Sequence, residues 1–253
     1  INTLVSPPAS QTSNLMINVD PVEETIPDYM TGAVCFALGT LISTANGEIP
    51  IEELSVGDLV QTFDHGLQPL RWIGRRHLDA RELSANNNLR PIRIQKEVMG
   101  GKNGIHDLVV SPQHRLLIAS RVAERMFKRK EVLIAAKHLL GIKGVDVATD
   151  FENVTYFHIL FDQHNIVYAN GILAESLYLG HQAQLSLSPS GLTEIQALFP
   201  EFALPTYLPI SCRPIIGSRK AKKLVLRHAK NRKPLLESSI IKSHARKTFF
   251  ATL

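Results

Sequence analysis

Short apolar runs broken by turn residues dominate the middle of the chain. Leu41-Ile42-Ser43-Thr44 is followed by Ala45-Asn46-Gly47-Glu48, whose Asn-Gly pair signals a tight turn, and Ile49-Pro50-Ile51 resumes the run. Leu59 to Phe63 reads as a strand, Asp64-His65-Gly66 turns, and Leu70 to Ile73 alternates apolar with polar positions before Gly74. Further strand-like runs are Ile92 to Ile94, Asp107 to Val110, Leu116 to Ala119, Val132 to Ile134, Val154 to Phe161 and Ile166 to Ala169. Many short strands at this spacing predict an all-β domain rather than alternating strands and helices. Two short helices are expected within it, over Ala119–Arg129 and Ala135–Leu140.

The flanks have a different texture. Residues 1 to about 30 contain Pro7, Pro8, Pro21 and Pro27, no Lys or Arg, and no lasting period, so 1–34 reads as a linker or upstream segment. After Gly180, Ser190 introduces a short helical pattern (Leu192, Ile195, Leu198, Phe199) that stops at Pro200. Ser218 is placed to cap a second helix, with Ala221, Leu224, Val225 and Ala229 on one side and Lys and Arg on the other. The chain thus divides into 1–34, a β domain over 35–180, and a C-terminal extension over 181–253.

Composition narrows the function classes. The 253 residues are 44% hydrophobic and 20% charged, which is ordinary globular material, and no apolar run approaches a membrane span. The chain starts at Ile1 and shows no visible signal peptide, though a fragment could have lost one. With no transmembrane segment, a soluble protein is expected, and a monomer. Two cysteines make no disulfide scaffold, and ten histidines without an HExxH pattern give no metal site, so no metal or cofactor is expected. The net charge of +5 is unevenly placed: residues 213–253 hold 12 Lys and Arg against Glu237 alone, net +11, whereas residues 1–212 are net −6. That basic tail reads as a solvated face, or as a contact for an anionic partner such as nucleic acid or a membrane surface. Phe249 and Phe250 are too few to suggest base stacking.

Three segments carry candidate chemistry. Cys35 sits where the linker meets the β domain, in Val34-Cys35-Phe36-Ala37-Leu38-Gly39-Thr40. By itself it is most simply a buried apolar thiol, but a thiolate with a base nearby attacks carbonyls. In Ser111-Pro112-Gln113-His114 the histidine lies between two strand-like runs, with Ser111 able to reach the same point through a turn. His158 lies in Tyr156 to Gly171, which reads as a β-hairpin with an Asp-Gln-His-Asn turn; its side chain faces opposite to Phe157 and Ile159.

In order and context these segments resemble the Hedgehog/intein (Hint) superfamily, and most of all its bacterial intein-like branch. Cys35 to Thr44, ending with Gly47, is similar to the family's opening block. Val56-Gly57-Asp58-Leu59-Val60 and Gln68 to Gly74 match segments of the bacterial branch, Ser111 to His114 stands where inteins carry Thr-x-x-His, and Glu175 to Gly180 is similar to the branch's closing segment. The resemblance runs from Cys35 to Gly180. It implies an all-β, horseshoe-shaped Hint fold with pseudo-twofold symmetry. It also implies that Cys35 attacks the carbonyl of Val34, moving the acyl group from nitrogen to sulfur, with His114 protonating the leaving nitrogen and Ser111 holding the scissile peptide or orienting His114. His158 is a second acid or base, or structural. Glu175 and Ser176 stand where inteins carry their final His and Asn; serine cannot form a succinimide, so the implied outcome is N-terminal cleavage by water or a small nucleophile, or transfer to an acceptor protein, rather than splicing. The substrate is then the chain's own upstream polypeptide. The rival reading is a catalytically silent Hint module anchored through its basic tail.

Overall fold

The computed structural model describes residues 34–99, 106–180, 187–204 and 206–240. The upstream segment expected over 1–34, Val34 excepted, and the end of the tail from residue 241 lie outside the described residues. Among the described residues the chain forms β1 (Phe36–Ala37), β2 (Leu41–Thr44), β3 (Gly47–Pro50), β4 (Leu59–Thr62), β5 (Gly66–Pro69), β6 (Trp72–Leu78) and β7 (Ile92–Ile94). It continues with β8 (Leu108–Val110), β9 (Arg115–Ala119), β10 (Glu131–Ala135), β11 (Val145–Val147), β12 (Val154–Leu160), β13 (Ile166–Ala169) and β14 (Ile172–Glu175). The helices are α1 (Ala80–Ala85), α2 (Arg121–Phe127), α3 (Pro189–Leu198) and α4 (Ser218–Asn231), with a short 3-10 turn at Ala136–Leu139.

Two antiparallel sheets make up the domain. One has the order β11-β7-β8-β1-β12-β6; the other runs β10-β9-β14-β13-β2-β4-β5, with β3 on β2. The all-β expectation therefore holds, with short helices between and after the strands. Phe36, Val110, Phe157 and Ile159 from the first sheet share one core with Ile42, Leu116, Val167 and Ala174 from the second. β9, β12 and β14 are buried at nearly every position, as strands covered on both faces must be.

The hairpin expected from His158 to Gly171 does not form. β12 lies in the first sheet and β13 in the second. Asn165, in the link between them, is held by Ser176 Oγ on its N–H and by His65 Nδ1 on its side-chain oxygen. The hairpin is instead β13–β14, turning at Asn170 and Gly171, both with positive φ (48° and 75°). A period of two shows which side chains share a face, and β12 and β13 have the same period whichever sheet they join.

Two helix caps also differ from expectation. Ser188, not Ser190, caps α3 by accepting from the Gly191 N–H. Gly217 precedes α4 without a side-chain cap, and Ser218 Oγ instead meets His138 Nε2. His228, rather than Ala229, completes the buried side of α4: its Nδ1 donates to the Lys233 carbonyl, and its Nε2 faces the Ser120 hydroxyl at 3.1 Å. The extension thus packs onto the β domain. α4 rests on α2 and the Ala136–Leu139 turn, and α3 covers Trp72, Leu160, Leu177 and Leu179.

Candidate active site at the Val34–Cys35 bond

β1 is only two residues long, yet its register builds the site. Phe36 pairs with Phe157 of β12 on one side and with Val110 of β8 on the other. Continuing both antiparallel ladders by one residue sets Cys35 opposite His158 and Ser111. Directly opposed residues in antiparallel strands share a face and sit close, so the three side chains form one row across the sheet.

The contacts follow from that row. The Cys35 N–H donates to Ser111 Oγ (3.0 Å), and the Ser111 N–H donates to the Cys35 carbonyl (3.0 Å). His158 Nδ1 lies 2.8 Å from the Val34 carbonyl oxygen. A carbonyl only accepts, so Nδ1 carries the proton; Nε2 of the neutral ring is then bare, and it lies 3.6 Å from Cys35 Sγ. The Val34–Cys35 peptide is therefore gripped at its oxygen by His158 and at its nitrogen by Ser111, with the sulfur beside the same histidine.

His114 sits one turn beyond Ser111, its N–H donating to the Ser111 carbonyl. Its ring packs on Phe36, centroids 4.2 Å apart, and is fully buried. Neither ring nitrogen makes a well-directed hydrogen bond, although the Cys35 carbonyl is near enough to favour the protonated ring. The structure thus brings Cys35, Ser111, His114 and His158 together around Val34. His158, not His114, makes the contacts to the carbonyl oxygen and the sulfur.

Burial governs the electrostatics. It pushes the Cys35 thiol up to about 12, while Ser111 and the charge of Arg76 pull the other way. It lowers His158 to about 4, opposed by the Val34 hydrogen bond and aided by Arg76. It lowers His114 to about 4 as well, against the pull of Glu175. At neutral pH the site holds a thiol and two neutral imidazoles, with no charge standing ready.

Two features here go beyond the sequence reading. Gly74 pairs with His158 across β6, and the Trp72 indole folds over it; a Cβ on Gly74 would stand 2.1 Å from the ring. The indole reaches His158, centroids 6.4 Å apart and 28° from parallel, and its Nε1–H donates to Glu194 of α3 (2.7 Å). The extension therefore touches the ring that backs the histidine. Trp-x-Gly on one face of a strand is the only signal that could have shown this.

The second feature is the cluster at Glu175, at the end of β14. Arg115 Nη1 bonds both Glu175 oxygens, at 3.1 and 3.0 Å, and His164 Nε2 lies 3.2 Å from Oε2. Burial works to raise the Glu175 carboxyl, but His164, Arg115 and His114 together hold it below its ordinary value. Ser176 is bound to Asn165 through both its N–H and its hydroxyl. A cavity of about 620 Å³ opens nearby, with His164, Tyr178, Phe199, Tyr207 and Cys212 on its walls. Burial pushes the Cys212 thiol up to about 12. Among the described residues no group of three or more His, Cys, Asp or Glu side chains converges as a metal ion needs.

Residues 34–181 match the Hint domain family. The chain belongs to that family. No curated protein matches it. Among solved structures it is similar to the MchDnaB-1 intein (10% identity, 56% of this chain and 99% of that chain, TM-score 0.37). It is also similar to the bacterial intein-like domain of Clostridium thermocellum (13%, 57% and 99%, 0.36) and to the gp41-1 intein (13%, 56% and 98%, 0.32). The matched Hint segment begins at Val34, the residue whose carbonyl His158 holds.

Proposed function

We propose that this Hint domain severs or transfers its own upstream segment at the Val34–Cys35 bond through an N-to-S acyl shift. The observation that carries this reading is the bridging position of His158, Nδ1 on the Val34 oxygen and Nε2 beside the Cys35 sulfur. In the first step Nε2 takes the thiol proton and the sulfur bonds to the Val34 carbonyl carbon. Nδ1–H stabilises the negative charge that develops on the oxygen. The carbon–nitrogen bond then breaks while Ser111 holds the leaving nitrogen in place. His114, on the Cys35 side of the bond and weakly basic, takes up the proton that the sulfur gave to His158 and, once protonated, passes it to the leaving nitrogen. The thiol proton ends on the new amine, so no proton is gained or lost, and Val34 is now joined to Cys35 as a thioester.

Amide to thioester is uphill in water, so a second reaction draws it forward. Water, a small nucleophile or an acceptor amine attacks the thioester carbonyl and frees Cys35 as a new N-terminus. Glu175, locked to Arg115, and Ser176, which cannot cyclise, leave the chain without the means to release its other end.

The test is to tag the chain ahead of Ile1 and incubate it with and without dithiothreitol. Thiol-accelerated release of residues 1–34, abolished by Cys35→Ala, is the expected result. A chain that stays whole with every added nucleophile contradicts the proposal.

A further inference from the structure

The outward face of α4 is built against the ordinary rules of helix stability. Arg219, Lys220, Lys222, Lys223, Arg227 and Lys230 are all exposed, and no acidic residue occurs anywhere in 213–236. Like charges at Arg219/Lys223 and Lys223/Arg227 (i, i+4), and at Lys220/Lys223 and Arg227/Lys230 (i, i+3), repel one another. Arg219 and Lys220 stand in the first turn, where the helix dipole disfavours cations, and the first turn holds neither an acid nor a side-chain cap. Among the described residues none of these cations, nor the exposed Arg232 and Lys233 that follow, forms an ion pair.

What holds the helix is its other side. Ala221, Leu224, Val225 and His228 are buried, and His228 is bonded to Ser120 and Lys233. The cationic face is thus presented as a fixed array; on α2, which packs against α4, Arg125 is exposed, as are Lys128 and Arg129 just beyond its end. Leu226, 66% exposed, falls on the same side of α4 as its exposed cations. The sequence beyond continues the theme with Lys242, Arg246 and Lys247, then Phe249 and Phe250.

We propose that α4 docks the protein onto an anionic lipid surface. Headgroup phosphates and carboxylates neutralise the array and relieve its internal repulsion, and Leu226 enters the boundary between headgroups and acyl chains. The apolar side of α4 stays in the protein core, so the helix lies against the bilayer and does not insert. A nucleic-acid backbone would also neutralise the cations, but it offers no place for Leu226, and this face carries no aromatic side chain to stack on bases. This inference is independent of the self-cleavage reading.

The test is co-sedimentation of the full chain with phosphatidylcholine vesicles, with and without phosphatidylserine, at low and high salt. Binding is expected only with phosphatidylserine, and it should fall steeply with salt. Lys223→Glu combined with Arg227→Glu and Lys230→Glu should weaken binding more than about a hundredfold. Its thermal stability should change little, since the pairs with Arg219 and Lys220 become attractive while those among positions 223, 227 and 230 stay like-charged, and its Val34–Cys35 cleavage should be unchanged. Leu226→Ser should weaken vesicle binding a few-fold and leave any binding to duplex DNA untouched. Equal binding to both vesicle types, no binding to phosphatidylserine vesicles at low salt, or tighter binding to duplex DNA than to vesicles would each overturn the proposal.

Discussion

The two ends of the Hint domain meet near His114 and differ in how their charges are managed. At Val34–Cys35 every titratable partner is neutral: a thiol raised to about 12 and two imidazoles lowered to about 4, around a peptide gripped at its oxygen and its nitrogen. At Glu175–Ser176 the groups are charged and already satisfied, with Glu175 tied to Arg115 and close to His164. Neutral groups whose contacts are to the bond itself can take up or give a proton there; a closed ion pair is occupied in holding strands together. This contrast supports the proposal that places the reaction at the N-terminal end.

The largest expected effect falls on His158. Its two nitrogens serve two roles, so His158→Gln should slow cleavage by about a thousandfold or more, read as the rate of release of residues 1–34 with thiol present. A rate within tenfold of the parent would remove His158 from the reaction and leave His114 as the working base.

The second effect is on stability. His114 and His158 titrate near 4 in the folded chain and near 6.5 when unfolded. Above pH 6.5 both states are neutral and full stability is present. As pH falls from 6.5 towards 4 the unfolded chain takes up protons first and stability is lost; below about 4 the loss levels off. The shift corresponds to about 3 kcal/mol for each histidine, measurable by urea unfolding across that range. His158→Gln should remove its own share, about half of what these two histidines contribute, and an unchanged slope would mean the histidine is not buried neutral.

Glu175→Gln probes the other end. Leaving Arg115 without its carboxylate should destabilise the fold by about 3 kcal/mol while slowing cleavage no more than about tenfold, a loss traced to the weaker pull on His114. Abolished cleavage with unchanged stability would reverse the contrast between the two ends. The smallest effect is at Gly74: Gly74→Ala displaces the Trp72 ring from behind His158 and should slow cleavage about tenfold.

Much of this was legible in the sequence, and the failures have physical causes. β2, β4, β7, β8, β9, β10, β12 and β13 were visible because a few consecutive apolar or alternating residues suffice to mark a strand. β6, expected over Leu70–Ile73, instead runs Trp72–Leu78 through Gly74, and β5, β11 and β14 were not foreseen. β1 was not, because two residues carry no period, yet its register sets Ser111, Cys35 and His158 in one row. The order of motifs placed those residues at a common site, but only the geometry shows that His158 rather than His114 holds the carbonyl. Arg115 and His164 were invisible as partners of Glu175, since a charge on a strand does not announce which distant segment it meets.

The most direct measurement is a mass spectrum of the products after hydroxylamine treatment. If Cys35 forms a thioester, residues 1–34 are released with a hydroxamate on the Val34 carboxyl, and the partner fragment begins with a free Cys35; Cys35→Ala yields neither. A fragment ending at another residue, or the same hydroxamate from Cys35→Ala, would contradict the acyl shift at this bond.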